Sequence, residues 1–321
     1  MPRHVLGGPG FTAPSETLGA ALIGVGGRGP GTFSELTRSL QGAGFGVNKR
    51  AECDVKWANV ADNKSRYSDF RVLLERPDID VVAIATPPHW HPIISISAME
   101  AGKDVLCEKP MTRCIAEGRA VANAEKRYGR IFQIGTFGRF GKAANPESRR
   151  LRKIMRSGLL EKCPAVQTVL SEFKAKQWSG LVNAKPQAPP PNLDWELYCG
   201  PSPLKPFHPD RHGGTHRGYW DYENGGLGDM GQHKMDPLTY EWGKDHTAPV
   251  EVEAFAPPAH HEACGMWAWV SCAMRTVSAL SCRAGNGGSG WCGTSRAASA
   301  RLTLHRRPAR NWPPFPTRSR S

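Results

Sequence analysis

At 321 residues the chain is long enough for two domains, each with its own core. Its formal charge of +13 is unevenly spread: residues 1–262 hold 33 basic and 29 acidic side chains, net +4, and the nine arginines of 263–321 supply the rest. With no aromatic-interleaved basic patch before residue 263, and no apolar run near the roughly 18 residues of a spanning helix, composition excludes a specific nucleic-acid binder and a helical membrane protein.

Met1 to Thr17 has neither a twin-arginine pair nor an apolar stretch of signal-peptide type, so no secretion signal is expected there. Nine scattered cysteines fit a reducing compartment, cytoplasmic by default. From Ala20 the apolar run Ala20–Ile23 reads as a buried parallel strand. It delivers Gly24-Val25-Gly26-Gly27-Arg28-Gly29, a G-x-G-x-x-G turn before the helical pattern Thr32–Leu40. The first glycine permits the tight turn, the second admits a pyrophosphate, and the third lets helix and strand close up. The helix start then offers N–H groups to the anion. Gln41–Arg50 reads as a loop insertion and Val55–Asp62 as the second strand. An acid at its end, Asp62, suits the ribose hydroxyls of NAD, while nearby Arg66 could instead hold the 2′-phosphate of NADP.

Asp80–Thr86 has the β-branched density of a buried strand and opens into Pro87-Pro88-His89-Trp90-His91. A helix follows to Glu100, then the strand Asp104–Cys107, which carries Glu108-Lys109-Pro110 at its carboxyl end. A helix Ile115–Tyr128 and a strand Ile131–Ile134 complete an alternating β/α pattern, hence a parallel sheet covered on both faces. Ligands bind beyond the carboxyl ends of such strands. Thr86, Pro87, Glu108 and Lys109 are therefore candidate cofactor contacts, with Gly24, Gly26, Gly27, Arg28, Gly29 and Asp62. His89 and His91 either join them or fill the cleft.

Further on, Gly225-Gly226-Leu227-Gly228-Asp229-Met230-Gly231-Gln232-His233 puts a carboxylate and an imidazole four apart, on one face of a helix. With a lysine from elsewhere in the fold they form a proton-transfer set; alone they are an ordinary salt link. Pro237 cannot donate to the His233 carbonyl, so a local kink is expected. His208, His212 and His216 have the spacing of a metal stripe, but Pro209, Gly213 and Gly214 make a polar loop the better reading, and no metal site is expected. Arg217, Trp220 and Tyr222 line a sugar pocket or pack internally. Lys185–Pro191 reads as an extended loop within the second domain, not as a domain boundary.

Gly24–Gly29, Ala85-Thr86-Pro87 with Glu108-Lys109-Pro110, and Gly225–His233 occur in an order that resembles the Gfo/Idh/MocA family, over roughly residues 18–262. That family contains glucose–fructose oxidoreductase and inositol dehydrogenase. The resemblance implies an α/β chain: an NAD(P)-binding Rossmann domain (18–137), then a substrate and oligomerisation α/β domain (138–262) with an open, mostly antiparallel sheet, here incomplete. It implies hydride transfer between NAD and a hydroxyl of a sugar or polyol. In that reading Lys109 lies between nicotinamide and substrate, His233 is the general acid/base, and Asp229 orients His233 or binds a neighbouring hydroxyl. Arg217 and Tyr222 complete the substrate set. It also implies a homo-oligomer, and exported relatives open a periplasmic alternative. Rival readings are an NAD-dependent glycosidase on the same fold and a catalytically dead dinucleotide-binding product.

Two departures stand out. Only Asn63–Arg66 separates Asp62 from the next expected strand at Tyr67, too short for a parallel crossover. From Ala263 to Ser321 there is no Asp, Glu or Lys, nor sustained strand alternation. This stretch is expected to be an aberrant, disordered basic tail, from a reading frame that changes just after about residue 263.

Overall fold

The structure is a computed structural model. It describes residues 13–58, 65–135, 146–157, 180–243, 249–255, 260–264, 268–274, 277–284 and 292–295. The described chain divides into two compact units. The first comprises residues up to Gly135 together with Lys185–Gly213; the second comprises Thr136–Ala184 and the chain from Gly214 onward. Lys185–Pro191, expected within the second domain, instead begins the return of the chain to the first unit.

The first unit is a six-stranded sheet of β1 (Thr17–Ile23), β2 (Gly46–Cys53), β3 (Arg66–Tyr67), β4 (Val81–Ile84), β5 (Asp104–Glu108) and β6 (Phe132–Gly135). The order is β3-β2-β1-β4-β5-β6 and every pairing is parallel. Such a sheet must be covered on both faces, and the alternation in β1 does this. Ala21 and Ile23 join Val82, Ile84, Val105 and Cys107 on one side, while Ala20 and Leu22 join Val81, Ala83 and Leu106 on the other. Helix α1 (Gly29–Gly42) caps the second face through Leu36. Helices α2 (Phe70–Leu74), α3 (His91–Glu100) and α4 (Ile115–Tyr128) cap the first, through residues such as Leu73, Ile94, Met99 and Val121. Strand order reverses between β1 and β4, and ligands of open α/β sheets bind outside the carboxyl ends of strands at that switch point.

The second strand corrects the sequence reading. Gly46–Cys53, expected within an insertion and its flank, is β2, and Val55–Trp57 forms a 3₁₀ turn. The chain from Asp54 to Ser65 then links β2 to β3, so the crossover has the dozen residues that a parallel connection needs. The apparent deficit came from placing the strand too late.

In the second unit helix α5 (Pro146–Arg156) packs against α7 (Gln232–Trp242), Arg152 Nε lying 2.9 Å from Glu241 Oε2. Between them in sequence, α6 (Trp195–Cys199) belongs to the first unit, its N-terminus capped by Asp194. Four strands, β7 (Pro249–Phe255), β8 (Ala268–Met274), β9 (Val277–Ala284) and β10 (Cys292–Ser295), pair antiparallel in the order β10-β9-β8-β7. Three of them fall within 263–321, so that stretch is not strandless as its composition suggested. Its Val, Trp, Leu and Cys retain β propensity, and a lack of acids does not prevent backbone pairing. Among the described residues no helix is long and apolar enough to cross a membrane.

Candidate active site

The Gly-rich turn joins β1 to α1, and its glycines divide into two kinds. Gly24 has φ +89°, and a β-carbon there would lie 2.7 Å from the Ala85 carbonyl carbon and oxygen. At Gly29 a β-carbon would lie 2.1 Å from the Gly24 carbonyl oxygen. These two are demanded by the fold. Gly26 and Gly27 meet nothing within 4 Å and leave a cradle open above the turn, although Gly27, at φ +42°, also has a backbone that favours glycine. The start of α1 carries no side-chain cap; the Gly29 N–H donates to the Gly26 carbonyl at 2.8 Å and Pro30 has none, so the first turn offers an anion the Gly31 N–H.

At the end of β2 stands Asp54. The Val25 N–H donates to its Oδ2 at 2.9 Å and the Lys56 N–H to its Oδ1 at 3.1 Å. Each oxygen retains a lone pair for a further donor. Asp54 is thus an acid held against the glycine turn at the end of β2; the expected ribose acid, Asp62, lies outside the described residues. At the end of β4 the Thr86 hydroxyl is buried and has no hydrogen-bond partner among the described residues. Open glycines, an acid on the turn and an orphaned hydroxyl fit a dinucleotide.

Glu108 ties β5 to the same turn. Its Oε1 accepts from the Thr32 hydroxyl at 2.5 Å and from Arg28 Nε at 3.1 Å, and its Oε2 from the Lys109 N–H at 3.1 Å. Arg28 also pairs with Glu35 at 3.1 Å. Burial pushes the Glu108 carboxyl above the usual range, against the opposing pull of Thr32 and Arg28. Both Glu108 and Arg28 are thus committed within the protein, as braces of the turn. Lys109, half-buried, follows at the carboxyl end of the sheet, joined to Pro110 by a cis peptide. Pro87 precedes the 3₁₀ turn Pro88–Trp90 in extended conformation.

His89 in that turn and His91, which begins α3, are both buried. His89 is 1% exposed, its Nε2 2.8 Å from the Tyr198 carbonyl. His91 is equally buried, with Nδ1 2.7 Å from the Pro110 carbonyl and Nε2 2.9 Å from that of Thr86. Burial lowers its pKa to about 4, aided by the Lys109 charge, although both carbonyls favour the charged ring. The Trp90 indole donates to the Leu197 and Tyr198 carbonyls of α6.

In the second unit, Asp229 lies in a π-helical turn, Leu227–Gly231, that runs directly into α7, where His233 is half-buried. The kink expected at His233 from Pro237 does not interrupt the helix: α7 runs through both residues to Trp242, and the π-helical turn lies upstream of them. Asp229 is 3% exposed and its Oδ2 is 2.9 Å from Arg217 Nε, so two of the proposed substrate residues form one ion pair. Tyr222 does not line an open pocket: it is fully buried, with its ring 6.4 Å from that of Tyr219. The polar-loop reading of the histidines agrees with the backbone, where His208 caps the 3₁₀ turn Pro209–Arg211 and His216 lies in another. Sequence reasoning missed Asp54 and the Thr32–Glu108 bond. Asp54 was within reach, since it stands closer than Asp62 to the spacing of about 20 residues usual between the turn and the ribose acid.

The chain matches the oxidoreductase-family model for an NAD-binding Rossmann fold over residues 18–136. It matches that family's C-terminal alpha/beta domain over residues 144–280. Among curated proteins it is 51% identical over 59 residues to levoglucosan dehydrogenase of Pseudarthrobacter phenanthrenivorans, covering 18% of this chain and 15% of that one. To inositol 2-dehydrogenase of Salmonella typhimurium it is 32% identical over 137 residues, 39% of either chain. The chain therefore spans well under half the length of these relatives. Among solved structures, the WlbA dehydrogenase from Bordetella pertussis, in complex with NADH and UDP-GlcNAcA, superposes with a TM-score of 0.54 at 17% identity. That match covers 86% of this chain and 79% of the other. An oxidoreductase domain protein from Kribbella flavida gives 0.53 at 22% identity, covering 86% and 73%. At such identities the likeness speaks to fold.

Proposed function

The chain belongs to the Gfo/Idh/MocA oxidoreductase family, and we propose that it moves a hydride between NAD and a hydroxyl-bearing carbon of a sugar or polyol. The observation that carries this reading is the shared edge of the first sheet. The open Gly26–Gly27 cradle, Asp54, the orphaned Thr86 hydroxyl and Lys109 follow the carboxyl ends of β1, β2, β4 and β5. Bound nicotinamide supplies the hydride acceptor. The protein's share is position and proton. The cradle and the start of α1 take the pyrophosphate, and Asp54 takes the ribose hydroxyls. A carboxylate there repels a 2′-phosphate, which favours NAD over NADP.

Lys109 holds the reacting hydroxyl oxygen. His233 accepts the hydroxyl proton as the carbon surrenders its hydride, so the alcohol becomes a carbonyl; reduction runs the same steps backward. Asp229, held by Arg217, orients His233 or binds a neighbouring hydroxyl. The four antiparallel strands of the second unit are read as part of the open sheet of the family's second domain, through which copies assemble. The names of the relatives support a cyclitol or anhydrosugar as the first substrates to try.

The test is NADH accumulation from NAD+ with a panel that includes myo-inositol and levoglucosan, repeated with Lys109→Ala and His233→Ala. Activity on at least one polyol, reduced at least a hundredfold in both variants, is expected. Release of an aglycone from a glycoside without net NADH would transfer the reading to the glycosidase. Binding of cofactor with no turnover on any polyol would make the chain a non-catalytic member.

A further inference from the structure

His91 is 1% exposed, yet it joins the two loops that carry Thr86 and Lys109. The ring lies between two backbone carbonyls, of Thr86 at the end of β4 and of Pro110 immediately after Lys109. A neutral imidazole carries one N–H, so the proton satisfies one carbonyl at a time, but the ring spaces both. His91 is also the first residue of α3, whose Ile94, Ala98 and Met99 are locked in the core. The two loops are thus referenced to a rigid helix by one side chain.

We propose that His91 is a positioning residue, holding Lys109 and the Thr86 backbone at the separation the nicotinamide requires. The inference rests on the dinucleotide reading above. Its physical basis is that a reacting group displaced by about 1 Å loses roughly a hundredfold in rate, so a spacer between two loops at the chemistry acts through them. Apolar core packing alone would not demand a ring with hydrogen-bonding nitrogens at both ends.

The test is a fluorescence titration with NADH of the full chain, its His91→Gln, His91→Asn, His91→Phe and Lys109→Ala variants, and the His91→Asn/Lys109→Ala double variant. The Gln amide offers two N–H donors at similar reach; Asn is too short to span both carbonyls, and Phe fills the volume with no donor. Expected are NADH affinity and emission maximum within about threefold and unshifted for Gln, and affinity about tenfold weaker with a shifted emission for Asn and Phe. The double variant should lose less than the sum of the two single losses, because part of the His91 effect passes through Lys109. A lowered melting temperature with unchanged NADH affinity and emission in Asn or Phe would make His91 merely structural. Additive losses in the double variant would overturn action through Lys109. If the unaltered protein binds no NADH, the dinucleotide reading fails first and this inference falls with it; binding that His91 variants leave untouched sinks the inference alone.

Discussion

His91 is buried and held neutral, and this has a consequence for stability. Its pKa is near 6.5 in the unfolded chain and about 4 in the fold, so unfolding takes up a proton between those values. The stability associated with the neutral ring is complete above about pH 6.5 and is lost as pH falls toward 4, about 3 kcal/mol in all. Urea midpoints measured between pH 7 and 4 should therefore fall more steeply in the unaltered protein than in His91→Gln. Parallel curves would show that the ring titrates normally. Glu108 carries a second prediction. Replacing it with alanine leaves Thr32, Arg28 and the Lys109 N–H without their carboxylate and should cost about 3 kcal/mol in a denaturant titration. At this scale the sequence told residue types but not their neighbours. Glu108 and His91 stand in the motif, and only the fold shows that Glu108 accepts from Thr32 and Arg28 while the His91 ring lies between two carbonyls. Tyr222 likewise reads as a sugar-stacking ring until it is found fully buried.

The turn between β1 and α1 separates folding from binding glycine by glycine. Gly24→Ala must adopt a left-handed φ and meet the Ala85 backbone, so it should lower the melting temperature as well as cofactor affinity. Gly26→Ala meets no neighbour, so it should melt like the unaltered protein and yet bind NADH at least tenfold more weakly. Calorimetry of both variants with and without NADH checks the pair. Gly200 offers a control away from the cofactor. A β-carbon there would lie 2.0 Å from the Trp90 ring, so Gly200→Ala should destabilise the seating of α6 on Trp90. Most elements of the first unit were legible, because β1, β4 and β5 are buried apolar runs and α4 begins and ends where its pattern does. β2 was not. Gly46–Cys53 buries only Ala51 and Cys53 and exposes Asn48, Lys49 and Arg50, since β3 covers just its last two residues. A strand so exposed has no apolar run, and the more hydrophobic Val55–Ala61 took its place in the reading. The π-helical turn at Asp229 escaped for another reason. Regular i,i+4 spacing carries no sign of the extra residue per turn, although Gly228 and Gly231 mark where side chains would meet Asn224 and Leu227.

Across the whole molecule, charge and architecture follow different divisions. Net charge changes character at residue 263, from near balance to a run with nine arginines and no acid. The described strands cross that point without interruption of the sheet, β7 before it and β8 to β10 after it. Composition was thus a poor guide to backbone pairing here, while the family match, which ends at residue 280, includes only the start of the acid-free stretch. The parallel sheet covered on both faces, by contrast, could be read from alternation of strand and helix, and its switch point is what gathers the glycine turn, Asp54, Thr86 and Lys109 at one edge.

The central claim is that this edge holds NAD, and a thermal melt of the full chain with and without NAD+ tests it most directly, with Gly26→Ala melted alongside. At about 100 times its dissociation constant a ligand stabilises the fold by roughly 2.7 kcal/mol. Expected is a clear upward shift with NAD+, a smaller one with NADP+, and about half the NAD+ shift or less for Gly26→Ala, which should melt normally without ligand. A cooperative melt that NAD+ leaves unmoved in the unaltered protein would contradict the assignment of the site.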